Sequence, residues 1–329
     1  MDTFKWGIIG PGKIANDFTK DLEFASSPHK VTTIYSRNRE KGEEFASKYD
    51  IANVYTSMEE FIEKADVDAV YIATPHTLHR EEALACLRKK IPVLCEKPIA
   101  INADQMNELM ASSTENETFL MEGMWTRFLP SIELVTKMVE QGTIGDIVAI
   151  KASMSYKAPY DPNSRYFNPD LGGGSLLDLG IYPVFLAMFF LGKPAEIKSF
   201  AKISDKGIDE TCAILLNYSN GQYAMLDSSI ITQMESLAEI IGDKGIIKIL
   251  APWTEKPAGI EVNLYNGTKM AYPCEWEGHG FQFEVDEVAR CVRNNQSYSN
   301  LLPQHFSLDM LETMDEIRSQ IHVVYEKYE

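Results

Sequence analysis

The spacing of hydrophobic and polar positions changes partway along this chain. From residue 4 to about 124, short apolar runs alternate with stretches at helical spacing. Phe4–Ile9 reads as a strand, and residues 10–15 lead into a helix through about residue 25. Strands are predicted at 31–35, 54–55, 68–73, 91–96 and 118–122, and helices at 39–48, 79–90 and 102–112. Ser57 opens a further helix, Met58–Lys64, with Glu60 as its capping-box partner. Strands that alternate with helices at this interval predict βαβ units and a parallel sheet.

After a helix at 131–141, strand-like segments follow one another directly, at 146–156, 195–203, 211–218, 222–230, 237–241, 246–250, 260–265 and 269–272. Asn220-Gly221 and Asn266-Gly267 are hairpin turn signals within this run. The pattern predicts a large, mostly antiparallel open sheet. Two helices, at 281–294 and 307–328, close the chain. The expected fold is α/β: an N-terminal dinucleotide-binding domain over 1–124, and a C-terminal α/β domain over 125–306 built on the large sheet. The final helix is expected to pack back on the first domain.

A length of 329 residues suits two cores. With 48 acidic and 31 basic residues the net charge is -17, which repels nucleic acid and anionic membrane surfaces. Neither is expected as a partner. The five cysteines are scattered without a Cys-x-x-Cys pair, so neither a disulfide framework nor a metal site is expected. The apolar run at 181–191 is short for a membrane span, and the strand beginning at Phe4 leaves no room for a signal peptide. A cytoplasmic location is the expectation.

Gly10-x-Gly12-x-x-Ala15 follows the first strand and opens a helix, the context of a dinucleotide fingerprint. The first glycine makes the turn, the second lets backbone approach a pyrophosphate, and the amides near Lys13 and Ile14 supply donors. The end of the second strand carries Ser36-Arg37-Asn38-Arg39 and no acid. A hydroxyl and a guanidinium suit a 2′-phosphate, so the cofactor expected is NADP, with NAD possible. A solvated loop opening the next helix is the bland alternative. Thr74, Pro75, His76 and His79 follow a strand whose end faces the nucleotide; His79 serves either there or simply as a helix-opening residue.

Cys95-Glu96-Lys97-Pro98 ends the buried run 91–96. A lysine at such a strand end is poor core material and lies where ligands sit in parallel sheets. The second signal is Gly172-Gly173-Gly174-Ser175, where Ser175 can cap a following apolar helix that carries Asp178 and Tyr182 four residues apart. A carboxylate there calls for a cation, and Lys97 is the natural candidate. A tyrosine, with an ordinary pKa of about 10, becomes a usable acid/base beside an ammonium. The Tyr265-x-x-x-Lys269 string encloses a hairpin turn and cannot be a helical Tyr/Lys pair.

Over essentially its whole length the chain resembles the Gfo/Idh/MocA family. The carrying residues are the Gly10 loop, Tyr71-Ile72-Ala73-Thr74-Pro75, Cys95-Glu96-Lys97-Pro98 and Gly172-Gly-Gly-x-x-x-Asp178-x-x-x-Tyr182. The 119–128 segment, Tyr182 and the 228–233 segment resemble the branch of dimeric dihydrodiol dehydrogenases and NADP-dependent D-xylose dehydrogenases. The resemblance implies a Rossmann domain and hydride transfer between NADP and a small polyhydroxylated substrate; a homodimer is expected because the strands at 213–218 and 224–228 carry too many apolar positions for one solvated face. It makes Lys97 and Tyr182 the catalytic pair with Asp178 in support, and places Trp125 and Arg127 near cofactor and substrate. Glu96 belongs to the same cofactor-side motif. Residues 156–170, which carry Arg165, form a substrate loop that matches less well, as do His76 and Gly123. Two alternatives stand beside this reading: an NAD-dependent sugar or inositol dehydrogenase, or a regulatory protein that binds the dinucleotide without catalysis.

Overall fold

The computed structural model describes residues 2–329 and divides into two compact units. In chain order the first elements are β1 (Phe4–Ile9), α1 (Lys13–Asp21), β2 (His29–Tyr35), α2 (Arg39–Tyr49), β3 (Asn53–Tyr55), α3 (Met58–Lys64), β4 (Ala69–Ile72), α4 (His79–Leu87), β5 (Val93–Glu96), α5 (Ala103–Glu115) and β6 (Leu120–Gly123). There follow α6 (Pro130–Glu140), β7 (Ile147–Ser155), α7 (Ile181–Leu191), β8 (Glu196–Ile203), β9 (Asp209–Asn217), β10 (Tyr223–Ser229) and β11 (Ala238–Gly242). The last are β12 (Gly245–Ile249), β13 (Ile260–Leu264), β14 (Lys269–Tyr272), α8 (Phe281–Arg293) and α9 (Gln304–Ile321).

The first unit comprises residues up to Ala100, Asp104–Trp125 and Glu277–Leu308. Its six strands are all parallel, in the order β3-β2-β1-β4-β5-β6. Every residue of β4, β5 and β6 is buried, as expected of strands covered on both faces. The order reverses between β1 and β4, the switch point where such sheets hold ligands beyond their C-terminal ends. The unit is completed from far along the sequence. Asp21, at the end of α1, receives the backbone N–H groups of His279 (2.8 Å), Gly280 (2.8 Å) and Phe281 (3.1 Å), and so caps α8.

The second unit comprises Ile101–Ala103, Thr126–Trp276 and Asp309–Glu329. Its eight strands run in the order β14-β13-β12-β11-β7-β10-β9-β8, antiparallel except for the β7–β10 pair. One face, with Ile150, Ala224, Ile214 and Leu216, is buried, and α7 packs on β7 and β10. The helical stretch Pro169–Leu191 has a mean hydropathy of 1.8 and passes a length-and-composition test for a membrane span, longer than the 181–191 run suggested. It is 83% buried inside the fold, as a core helix is.

Two expectations differ from the structure. The final helix does not belong wholly to the first unit. Its first turn does, with Gln304 donating to Ser113 Oγ and Ser307 to Glu122, but residues from Asp309 onward count with the second. There Gln320 Oε1 accepts the Ser199 N–H at 2.9 Å, and Ser199 Oγ donates to the Ile317 carbonyl. The element that joins the first unit as a whole is α8. Ser57 does cap α3, accepting the Glu60 N–H, but the Glu60 carboxylate pairs with Lys64 one turn on and does not close a capping box.

Candidate active site

In the first unit the fingerprint loop is built for close approach. Gly10 has φ +93°, and a Cβ there would lie 2.7 Å from Thr74 Cγ2 and 3.1 Å from the Thr74 nitrogen. Only glycine accommodates both demands. The Gly10 N–H donates to the Tyr35 carbonyl, which ties β1 to β2 at the loop. Gly12 is the N-cap of α1 in extended conformation, and no side chain occupies the cap. The amides that follow, at Lys13 and Ile14, suit a pyrophosphate, and Ala15 is buried beneath them. The Lys13 ammonium pairs with Asp17 at 2.5 Å. These residues fit a bound dinucleotide.

At the end of β2, Ser36 is buried and its hydroxyl bonds the Asn38 carbonyl at 2.7 Å. That proton is committed to the turn, which Asn38 continues by capping α2 through the Lys41 N–H. Arg37 is exposed beside it.

Beyond β4, Thr74 Oγ1 donates to Glu82 Oε2 at 2.5 Å. His79 is buried, with Nδ1 2.8 Å from the Pro98 carbonyl and Nε2 2.9 Å from the Thr74 carbonyl. Burial lowers its pKa to about 4, while the two carbonyl acceptors pull the other way. His79 thus lies between the loop after β4 and the loop after β5, and its neutral ring donates its single N–H to one of the two carbonyls. That is a positioning role. His76 is buried against it, ring centroids 6.4 Å apart.

Lys97 emerges at the end of β5, where its peptide to Pro98 is cis. Two buried carboxyls hold the surrounding backbone. Glu96 accepts the Tyr71 hydroxyl and, through Oε2, the Lys97 N–H at 3.2 Å. Glu122, in β6, accepts the Ile99 N–H (3.0 Å) and the Ser307 hydroxyl (2.7 Å). Burial raises the Glu122 pKa to about 7. Trp125 stacks on Phe281, centroids 4.5 Å apart.

In the second unit the chain reaches Tyr182 through a backbone shaped around Asp209. Gly174 has φ +133°, and a Cβ there would fall 2.5 Å from Asp209 Oδ1. Asp209 Oδ2 accepts the Leu176 N–H and the Ser175 hydroxyl, both at 2.7 Å. Ser175 therefore does not cap the helix, as the sequence suggested; it hands that task to a carboxylate from β9. The first turn, Leu176–Gly180, is π-helical, a distortion frequent at functional sites. Asp178 lies in it, and the buried Tyr182 is the second residue of α7. The Arg165 guanidinium bonds Asp178 Oδ1 at 3.2 Å and lies over the Tyr166 ring at 4.6 Å. Within this unit Arg165 gives Asp178 a cation, and the Asp178 charge raises the pKa of Arg165 in turn. Arg127 lies over Phe189, 4.7 Å from its centroid.

Sequence reasoning missed the supporting carboxyls Asp21, Glu82, Asp209 and Glu284. Glu284 is wholly buried in α8, and burial drives its pKa well up. The available signal was an acid at an otherwise apolar helix position, as at Glu82 and Glu284.

Residues 4–124 match the Gfo/Idh/MocA description of an oxidoreductase family with an NAD-binding Rossmann fold, and residues 132–248 match the Gfo/Idh/MocA C-terminal domain. The chain is 35% identical over 332 residues to trans-1,2-dihydrobenzene-1,2-diol dehydrogenase of Mus musculus, covering 98% of each. A 3-ketoreductase from Actinomadura kijaniata, solved in complex with NADP and TDP-benzene, is similar with TM-score 0.86 and 25% identity over 97% of this chain and 98% of that one. An aldose-aldose oxidoreductase from Caulobacter crescentus shares the fold, with TM-score 0.89 and 22% identity over 98% of each. Fold, loop and relatives together define a dehydrogenase that binds NAD or NADP. The chain belongs to the Gfo/Idh/MocA family, as its motifs indicated.

Proposed function

We propose that this enzyme transfers a hydride between NADP and a carbinol carbon of a cyclic diol or an aldose. The observation that carries the reading is Lys97, an ammonium-bearing residue set at the C-terminal end of a fully buried strand in the nucleotide-binding sheet. The dihydrodiol dehydrogenase relative points to the same class of substrate. When bound, the nicotinamide supplies the hydride acceptor or donor. In oxidation Tyr182 takes the hydroxyl proton, Lys97 lowers the phenol pKa and orients the hydroxyl, and Asp178 supports the pair. Arg165, fixed by Asp178, presents its remaining donors to substrate hydroxyls, and Trp125 lends an apolar wall. The test is a screen of trans-dihydrodiols, aldoses and polyols with NADP and with NAD, read at the reduced nicotinamide absorbance. Failure of every carbinol with both nucleotides would sink the reading. A cytoplasmic site of action fits the free cysteines.

The preference for NADP is assigned to Arg37. Arg37→Ala is expected to weaken NADP by about one to two decades and NAD far less, since a charge-assisted contact is worth roughly 1.5–3 kcal/mol. Equal losses for both nucleotides in calorimetry would refute this.

The partner proposed is a second copy of the chain. The sheet face away from α7 exposes Phe200 (77%), Leu215 (44%) and Met225 (40%), rimmed by Lys151, Lys198 and Glu239. These residues line a groove of ≈ 660 Å³ that includes none of Arg165, Asp178 and Tyr182. An apolar centre with a charged rim of both signs suits an isologous pair. Light scattering at micromolar concentration is expected to give twice the chain mass, and Leu215→Glu to halve it. A monomeric parent protein would count against the dimer.

A further inference from the structure

α9 ends in a turn that sends the chain back against the glycine loop leading to Tyr182. His322 takes φ +58°, and the Val323 N–H returns to the Arg318 carbonyl at 3.1 Å, a left-handed helix stop. The buried Arg318 then holds the returning segment. Its guanidinium bonds Asp315 at 2.7 Å and also Glu329, and it lies 5.6 Å from the centre of the Tyr325 ring. Fixed in this way, the segment meets the loop at two points. The buried Tyr325 hydroxyl donates to the Gly173 carbonyl at 2.8 Å. The Tyr328 hydroxyl donates to the Asp170 carbonyl at 2.8 Å, and the Lys327 ammonium lies 3.7 Å from the Asp170 carboxylate. Burial pushes the Tyr325 pKa well up, so this phenol stays a donor at any working pH.

That loop, residues 166–174, has no slack. The Gly173 N–H donates to the Asn168 carbonyl at 2.9 Å, and the Gly174 N–H to the Tyr166 carbonyl at 3.0 Å. A Cβ on Gly173 would lie 2.9 Å from the Asn168 nitrogen and oxygen and from the Tyr166 oxygen. One on Gly174 would lie 3.2 Å from Tyr325 Oη as well as against Asp209. The loop begins next to Arg165 and ends just ahead of Asp178, and the Arg165–Asp178 ion pair spans its two ends. Its placement therefore sets both members of that pair and the start of the helix that carries Tyr182. We propose that Tyr325 and Tyr328 are positioning residues for the hydride-transfer site: they fix the loop from outside and so hold Arg165, Asp178 and Tyr182 in one arrangement. This rests on the reading that Asp178 and Tyr182 carry the chemistry.

The experiment compares the full chain with Tyr325→Phe and with Tyr325→Phe/Tyr328→Phe, using the nucleotide and the carbinol that the parent turns over among trans-dihydrodiols, aldoses and polyols. Calorimetry with the nucleotide counts competent sites and gives its affinity. Steady-state rates per competent site give kcat and KM across pH. Tyr325→Phe keeps the ring and removes one hydroxyl, so kcat is expected to fall about tenfold, the scale of one hydrogen bond. The double variant is expected to lose about 10²-fold, the loss from a site displaced by roughly an ångström. Nucleotide affinity is expected to match the parent's, since the fingerprint loop and its strand ends lie in the first unit. The midpoint of the kcat–pH profile is expected to move up, because in that reading the acidity of the Tyr182 phenol depends on its setting. A part in stability alone would lower the count of competent sites and leave kcat per site and its pH profile as in the parent. That result overturns the proposal. If Tyr325→Phe does not fold, Lys327→Ala/Tyr328→Phe, which removes both contacts to Asp170, decides. The proposal then requires kcat about threefold lower or more, and an unchanged kcat overturns it. If Tyr325→Phe matches the parent while Tyr182→Phe is inactive, the proposal fails and the reading of Tyr182 stands. If the parent turns over no carbinol with either nucleotide, that reading fails and the proposal with it.

Discussion

Tyr182→Phe and Lys97→Met are each expected to lower kcat by about 10²–10⁴, the usual scale of general acid–base catalysis, with nucleotide binding close to that of the parent. The hydroxyl is the only group that Tyr182→Phe removes, and the side chain is buried, so the ring keeps its packing. Lys97→Met keeps the length of the stem and removes the charge. The Lys97 backbone stays held through Glu96, since that bond uses the main-chain N–H. Because the proposed mechanism has the two residues act on one proton, the double variant is expected to be little worse than either single one. Asp178→Asn is expected to be milder, as it disturbs orientation and the Arg165 contact without touching the proton in flight. Stopped-flow and steady-state measurements across pH decide the matter. Near-normal turnover by Tyr182→Phe at every pH would remove it as the acid/base and make His79 the next residue to test.

The largest effect on stability is expected at Asp21, far from any proposed chemistry. Its carboxylate is 1% exposed and receives three consecutive backbone N–H groups at the start of α8. Asp21→Ala leaves those donors inside the protein with no acceptor. Losing one side of a buried, charged hydrogen-bonded group costs about 3–5 kcal/mol. Asp21→Asn retains an oxygen and is expected to cost roughly half as much. Gly278, with φ +71°, lies where a Cβ would meet Asp21 Oδ1 at 2.7 Å, so the turn is shaped around this carboxylate and has little room to repack. Urea unfolding, with hydrogen exchange over residues 277–285 as a local probe, measures the cost. A change below about 1 kcal/mol, or exchange that stays slow there, would contradict this account.

What could be read from the sequence was local. The six parallel strands and eight sheet strands follow from short apolar runs and their period, and most boundaries fall within two or three residues of expectation. Gly10 was legible because a left-handed turn next to a strand admits little else. Lys97 was legible because a charge at a buried strand end needs a reason. What escaped was every partner supplied from a distance. Nothing near Ser175 says that Asp209 will take over its cap. Nothing near α1 says that its last residue will cap a helix 260 positions later. Nothing in the motif around Asp178 marks Arg165, thirteen positions upstream in a loop without a pattern, as a cation that bonds it directly. Side-chain pairing across sequence depends on topology, and periodicity carries none of that information.

The arrangement of segments fixes an order in time. Translation delivers β1–β6, then all of Thr126–Trp276, and only afterwards Glu277–Leu308, the stretch that finishes the first unit. No nascent chain shorter than 308 residues can hold that unit complete. On the ribosome the second unit's strands are thus made while Asp21 still waits for the amides it will cap, and the first half of the protein to be synthesised is not the first that can close.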